Sequence, residues 1–364
     1  MSRRTLADVV LAGAAGDAIG YPLELLTVAQ IRRRYGNDGL RVPIFREPAA
    51  QSVAIGVSTQ LTLATMDGIL WSHDRDDSLE AGMYRAYMRW YYVQTGREPR
   101  YGQKSWLKKQ RYEVDFNLAK VPEFALPRRP HPTTLDALAA ADDKKLRTKA
   151  PAHNDSDAML CMTPIGYYRQ GDAEQAYRDA CRCAELMQTD AVVIGAAGTV
   201  AALFARISAG DTLRQAVRYC KKEATMWGIP ETVAVALDTA TVAAESIRRK
   251  RKELTDKTQW WYYVDALDEV GTKSTAETTL AIGLACALAY RGARYAVLAA
   301  ANQNGNSAAA ALTAQLVAAN HTESEIPAYW FTQLECRHQL QQLATQVETL
   351  REESAADKRK KDAK

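Results

Sequence analysis

The chain carries no aspartate or glutamate between Glu277 and Glu323. Magnesium and other hard cations need anionic oxygen ligands, so that stretch can supply no part of a carboxylate cage. Cysteine is sparse as well, with six in 364 residues: Cys161, Cys181, Cys183, Cys220, Cys286 and Cys336. None shows zinc spacing, and Cys181 and Cys183 lie two apart, on different faces of a helix. Reduced core thiols are expected. An excess of one charge is also missing, since 43 acidic residues offset 47 basic ones for a net +4. Basic clusters at Arg32–Arg34, Lys104–Arg111, Arg248–Lys252 and Lys358–Lys361 read as solvated helix faces or a frayed tail, and nucleic acid is not an expected partner. No apolar run approaches the roughly 18 residues that cross a bilayer, so no membrane span is expected. The opening Met1–Asp8 lacks the long apolar segment of a secretory signal, and a cytoplasmic location is the expectation.

What is abundant is alanine, dense in the second half of a chain that is 47% apolar. Alanine-rich helices pack closely, which predicts an all-α globule with a large core. One domain is expected over residues 1–345, with an irregular insertion at about 95–132 and a charged tail, helical or disordered, over 346–364. The insertion is basic and aromatic, with Trp106, Tyr112, Phe116 and Phe124; it reads either as a partner-binding loop or as cover over the helices. Trp260-Trp261-Tyr262-Tyr263 reads as core or interface.

Helix boundaries can be read from local chemistry. Pro22 should end the first helix, over residues 5–20. Ser58 or Thr59 should cap the next apolar helix, which runs to Trp71. Thr133 or Thr134 should cap a third, and Ser274 with Glu277 has capping-box spacing. Asp155 and Asp157 read as caps of the helix that follows them. Asp17 reads as a buried structural acid and Glu24 as the cap of a turn.

In the same order along the chain, several of these stretches resemble the signatures of the ADP-ribosylglycohydrolase family (dinitrogenase reductase-activating glycohydrolase-like), over roughly residues 5–320. Gly16-Asp17-Ala18-Ile19-Gly20 followed by Glu24 is similar to the family's opening, whose glutamate lies at the active site. Gly56-Val57-Ser58-Thr59-Gln60-Leu61 stands where the family has Thr/Ser-Asp-Asp-Thr-Gln-Leu. His131-Pro132-Thr133-Thr134 resembles its Pro-Gly-x-Thr-Thr. Asp155-Ser156-Asp157 replaces its glycine-rich turn ahead of the shared Pro164-Ile165-Gly166. Gln188 stands where a histidine is usual. The last loop, with Asn304, Asn306 and Ser307, replaces Gly-Asp-Ser/Thr-Asp-Ser/Thr.

The resemblance implies a compact orthogonal multi-helix bundle and, in the family, a pair of magnesium ions held by carboxylates of the second and last loops. Here the acidic pair of the second loop is replaced by Val57 and Ser58, and the last loop, with Asn304, Asn306 and Ser307, holds no acid at all. The expectation is that the metal pair is lost. Two aspartates in the former glycine turn also disfavour a phosphate, since a like charge at about 4 Å opposes it by about 1 kcal/mol in water. Each motif keeps its packing residues and loses its polar chemistry. That pattern implies a catalytically inactive protein acting through a protein partner, for example an immunity protein that neutralises an ADP-ribosyltransferase toxin. The alternatives are a metal-poor hydrolase using Glu24 and Asp17 with Asp155 and Asp157, and a sensor that binds ADP-ribose or a nucleotide without turnover.

Overall fold

The computed structural model describes residues 4–45, 52–113, 117–147, 152–253, 265–320 and 326–362. Phe116 and the Trp260–Tyr263 patch lie outside the described residues. The architecture is all-α, with no strand among the described residues beyond a single bridge between Val53 and Leu334.

Helix α1 (Leu6–Gly20) opens on a reciprocal cap between Thr5 and Asp8. Its residues are small and apolar, so it is buried on nearly every side. Pro22 does end it, and a 3₁₀ turn at Tyr21–Leu23 follows. Helix α2 (Val28–Tyr35) carries the three consecutive arginines in its last turn. Helices α3 (Val57–Asp74) and α4 (Leu79–Thr95) pair closely. Short helices α5 (Pro122–Ala125), α6 (Pro132–Ala140), α7 (Asp157–Leu160) and α8 (Thr163–Tyr168) lead into α9 (Ala173–Ala184). Helix α10 (Ala191–Ala209) is the centre, packed by α7, α8, α9 and α11 (Leu213–Trp227). Helix α12 (Glu231–Glu253) and the short α13 (Asp265–Asp268) precede α14 (Ala276–Ala289), α15 (Ala293–Asn302) and α16 (Ser307–Ala319), and α17 (Arg337–Asp362) closes the chain. Helix α17 runs through residue 346 without a break and buries Leu340, Leu343, Val347 and Leu350, as its apolar spacing requires.

Two helical windows do reach the length and hydropathy of a membrane span, contrary to the sequence expectation: Leu6–Leu23 and Ala191–Ala209. They are 72% and 78% buried inside the globule, so their apolar surface is already covered by neighbouring helices. All six cysteines are unpaired, five of them buried and Cys181 half-buried.

The insertion is irregular apart from α5 and two 3₁₀ turns, at Ser105–Leu107 and Leu118–Lys120. Its first part packs as cover. Arg89 of α4, almost fully buried, bonds both Asp67 of α3 and Glu113 of the insertion. The Tyr112 hydroxyl donates to Asp67, and the Tyr92 hydroxyl donates to Gln103. The Gln60 side chain donates to the carbonyls of Phe124 and Leu126, at 3.1 and 3.0 Å.

The packing that positions the site is the contact of α1 with α16. A Cβ on Gly20 would lie 2.3 Å from Ser307 Cα, so only glycine lets the end of α1 meet the start of α16. That contact brings Glu24 to Ser307, 283 residues away in sequence.

Candidate functional site

A cavity of about 450 Å³ opens where six segments of the chain meet. Its size falls in the range of small-molecule sites. Of the residues singled out in the sequence, Glu24, Val57, Ser58, Asp155, Ser156, Asp157, Asn306 and Ser307 line it. Asp17, Gly56, Thr59 and Gln188 stand behind this lining and hold it, while Asn304 sits in the turn before α16 with φ of 52°.

Asp17 is 1% exposed and reaches from α1 to the start of α3. Its Oδ2 accepts the Gly56 and Thr59 amides, at 2.8 and 3.3 Å, and the Thr59 hydroxyl at 2.5 Å. The cap of α3 therefore differs from the expectation. Gly56 is the N-cap residue and offers no side chain, and neither Ser58 nor Thr59 caps the helix. The carboxylate of another helix satisfies the orphan amides instead. A Cβ at Gly56 would come within 2.5 Å of Asp17 Oδ1, so the hydroxyl residue that the resemblance places here would require the Asp17 carboxylate to shift. Asp17 Oδ1 is buried with no partner. Burial lifts the Asp17 carboxyl to about 6, against the pull of the Thr59 and Gly56 hydrogen bonds.

Glu24 faces the cavity, and its Oε1 accepts the Ser307 hydroxyl at 2.6 Å. Burial lifts it to about 7, with the Asp17 and Asp157 charges adding to the rise and the Ser307 bond opposing it. Asp155 and Asp157 are neighbours whose carboxyls are raised, first by burial; for Asp157 the charge of Asp155 adds to it. Asp155 Oδ1 accepts the Asp157 amide at 3.0 Å and its Oδ2 accepts from Gln188 Nε2 at 3.0 Å. Asp157 accepts the His131 amide at 2.9 Å. Ser156 is the N-cap residue of α7 and gives no side-chain bond. Asp155 supplies the acceptor for the first amide of the helix, as expected of it, while Asp157 lies inside the first turn.

Two other caps fall differently from the sequence reading. The N-cap of α6 is His131, whose Nδ1 accepts the Thr133 amide at 3.3 Å, so Thr133 and Thr134 lie inside the helix. Ser274 and Glu277 form no capping box. Thr275 is the N-cap of α14, and Asn154 of a distant loop does the capping. Its Oδ1 accepts the Ala276 amide at 2.8 Å and its Nδ2 donates to Glu277 at 2.7 Å.

The residues missed in the sequence are the basic ones. Arg128 and Arg129 at the end of the insertion, with His131 and His153, line the same cavity. Arg128 is buried and paired with Glu335, which also accepts the Ile55 amide. The signal was present: Pro127-Arg128-Arg129-Pro130-His131-Pro132 fixes the backbone just ahead of the Thr-Thr motif. The rings of His131 and His153 stack with centroids 3.8 Å apart. Burial and the neighbouring His153 lower the pKa of His131.

The arrangement does not fit a magnesium pair. Asn306 caps α16 through Oδ1, which accepts the Ala309 amide at 2.8 Å, and Ser307 and Thr59 donate to Glu24 and Asp17. The remaining oxygens of the two loops are neutral and largely committed to protein partners. Glu24 and Asp157 belong to no group of three ligating side chains among the described residues; the one such group is His131, His153 and Asp155.

The sequence model of the ADP-ribosylglycohydrolase family matches residues 2–357. No curated protein sequence matches the chain significantly. Among solved structures, one described as an ADP-ribosylglycohydrolase-related protein complex superposes with a TM-score of 0.62 at 14% identity, covering 95% of this chain and 97% of that one. At that identity the likeness shows the fold alone. The family match extends over nearly the whole chain, and the protein belongs to the ADP-ribosylglycohydrolase family.

Proposed function

We propose that this chain is a non-hydrolysing member of its family that acts by binding a protein partner, in the cytoplasm, with an ADP-ribosyltransferase toxin as the partner class. The observation that carries this reading is the chemistry of the two loops where the family holds magnesium. They offer Val57, Ser58, Asn306 and Ser307 to the cavity, and Asn306 and Ser307 are spent on a helix cap and on Glu24. Neutral oxygens already bonded within the protein do not hold two divalent ions, and without them no water is activated by metal.

The test is calorimetric titration of the purified chain with ADP-ribose, with and without magnesium, followed by capture of an ADP-ribosyltransferase on the immobilised chain. No magnesium-dependent binding, together with stoichiometric capture, is expected. Magnesium-dependent binding of ADP-ribose overturns the reading, and metal-free binding turns it into a sensor.

One observation favours a second reading. Glu24 faces the cavity with a pKa of about 7, which suits a general base at neutral pH. Metal-free hydrolysis of an ADP-ribosylated substrate, abolished in Glu24→Gln, would establish it. Turnover unchanged in Glu24→Gln would remove Glu24 from any such role.

A further inference from the structure

We propose that His131, His153 and Asp155 form a site for one divalent ion of the zinc type at the rim of the cleft. The three come from two loops, 22 residues apart at the histidines, and their ligand atoms all lie within 4.8 Å of one another. Asp155 Oδ2 is 3.5 Å from His131 Nδ1 and 3.8 Å from His153 Nδ1. In a tetrahedral zinc centre with bonds of about 2.0–2.1 Å, ligand atoms are separated by about 3.3 Å. Two of the three gaps are close to the edges of such a tetrahedron and the third lies within 4.8 Å. The two rings now stack, and because an imidazole nitrogen ligates in its ring plane, the exposed His153 ring must turn out of the stack for both to reach one ion.

The donor set decides which ion. Two imidazoles and one carboxylate suit zinc, cobalt or nickel, whereas magnesium asks for oxygen alone. The site therefore does not restore the family's metal pair. Asp155 is oriented for the role by Gln188 Nε2 on Oδ2 and by the Asp157 amide on Oδ1, as metal-binding carboxylates commonly are. An ion on His131 Nδ1 takes over the nitrogen that now accepts the Thr133 amide. With three protein ligands, a fourth position remains toward the cavity that all three residues line, where water or a side chain of a bound partner completes the shell. The inference goes beyond the partner-binding reading and does not depend on it.

The experiment titrates the metal-depleted full chain with zinc sulfate against a chromophoric chelator, with magnesium chloride in parallel. One zinc per chain is expected, with affinity at least tenfold weaker in His153→Ala and in Asp155→Asn, and no competition from an equal concentration of magnesium. Thermal melts without metal check that each variant folds, and His153→Gln replaces His153→Ala if the latter melts early. Absence of one-equivalent zinc binding overturns the proposal, as does unchanged affinity in either variant.

Discussion

Three helices whose first turns are exposed at the periphery cap themselves, whereas α3 and α14, which open on the cleft, are capped by other parts of the chain. Helices α6 and α16 also open there but are capped by their own His131 and Asn306. At the periphery, Thr5 with Asp8, Thr27 with Gln30 and Thr212 with Gln215 form complete capping boxes within four residues. At the cleft, α3 is capped by Asp17 of α1, and α14 by Asn154 of the loop before α7. A self-capped helix loses only its own end when the cap is removed. A helix capped from a distance transmits the loss to the element that supplied the cap. The cleft is thus held by polar bonds between loops remote in sequence, and its chemistry is fixed by the same bonds that fix its shape.

The largest effect should follow from Asp17→Ala. It leaves two buried amides and the Thr59 hydroxyl without their acceptor, and unsatisfied buried groups cost about 1–3 kcal/mol each. Urea denaturation should show a loss of about 3 kcal/mol or more at pH 5. The loss should shrink as pH rises. The folded carboxyl sits at about 6 against an ordinary 3.8, so the folded state holds the proton more tightly than the unfolded one. Wild-type stability from this group is therefore full below about pH 4 and declines through about pH 6, by about 3 kcal/mol. Equal losses at pH 5 and pH 7.5 would show that Asp17 is not the titrating cap.

Asn154→Ala should cost about 1–2 kcal/mol. It should also accelerate amide exchange at the start of α14, because the Ala276 amide loses its acceptor. Exchange unchanged at Ala276 would break the contrast between the two regions.

The smallest effect is expected from Thr212→Ala, at about 1 kcal/mol or less. Its capping box is exposed and closed within α11. Faster exchange should stay confined to the first turn of α11, and a change reaching the cleft would contradict the local character assigned to it.

This contrast also explains which parts of the protein were legible in the sequence. The all-α class and the stop at Pro22 follow from composition and backbone chemistry, which act over a few residues. The caps at Thr133–Thr134, Ser58–Thr59 and Ser274–Glu277 were misread for one reason. Each had a local candidate, but the amides were taken by His131, Asp17 and Asn154, two of which lie far away in sequence. Arg128, Arg129 and His153 reached the cavity unannounced because no short spacing links the end of the insertion to the loop before α7. The apolar windows of α1 and α10 needed the fold as well, since only packing reveals that neighbouring helices cover them.

The sequence by itself determined the helical class, the order of the motifs and the absence of acids from the two loops, because residue identity and local spacing suffice for these. Tertiary structure alone decided that Asp17 caps α3, that Glu24 accepts from Ser307, and that two histidines stack beside Asp155. The Glu24–Ser307 contact joins loops that are neighbours only once small residues let α1 and α16 approach, and the other two likewise join elements remote in sequence, which no local pattern encodes.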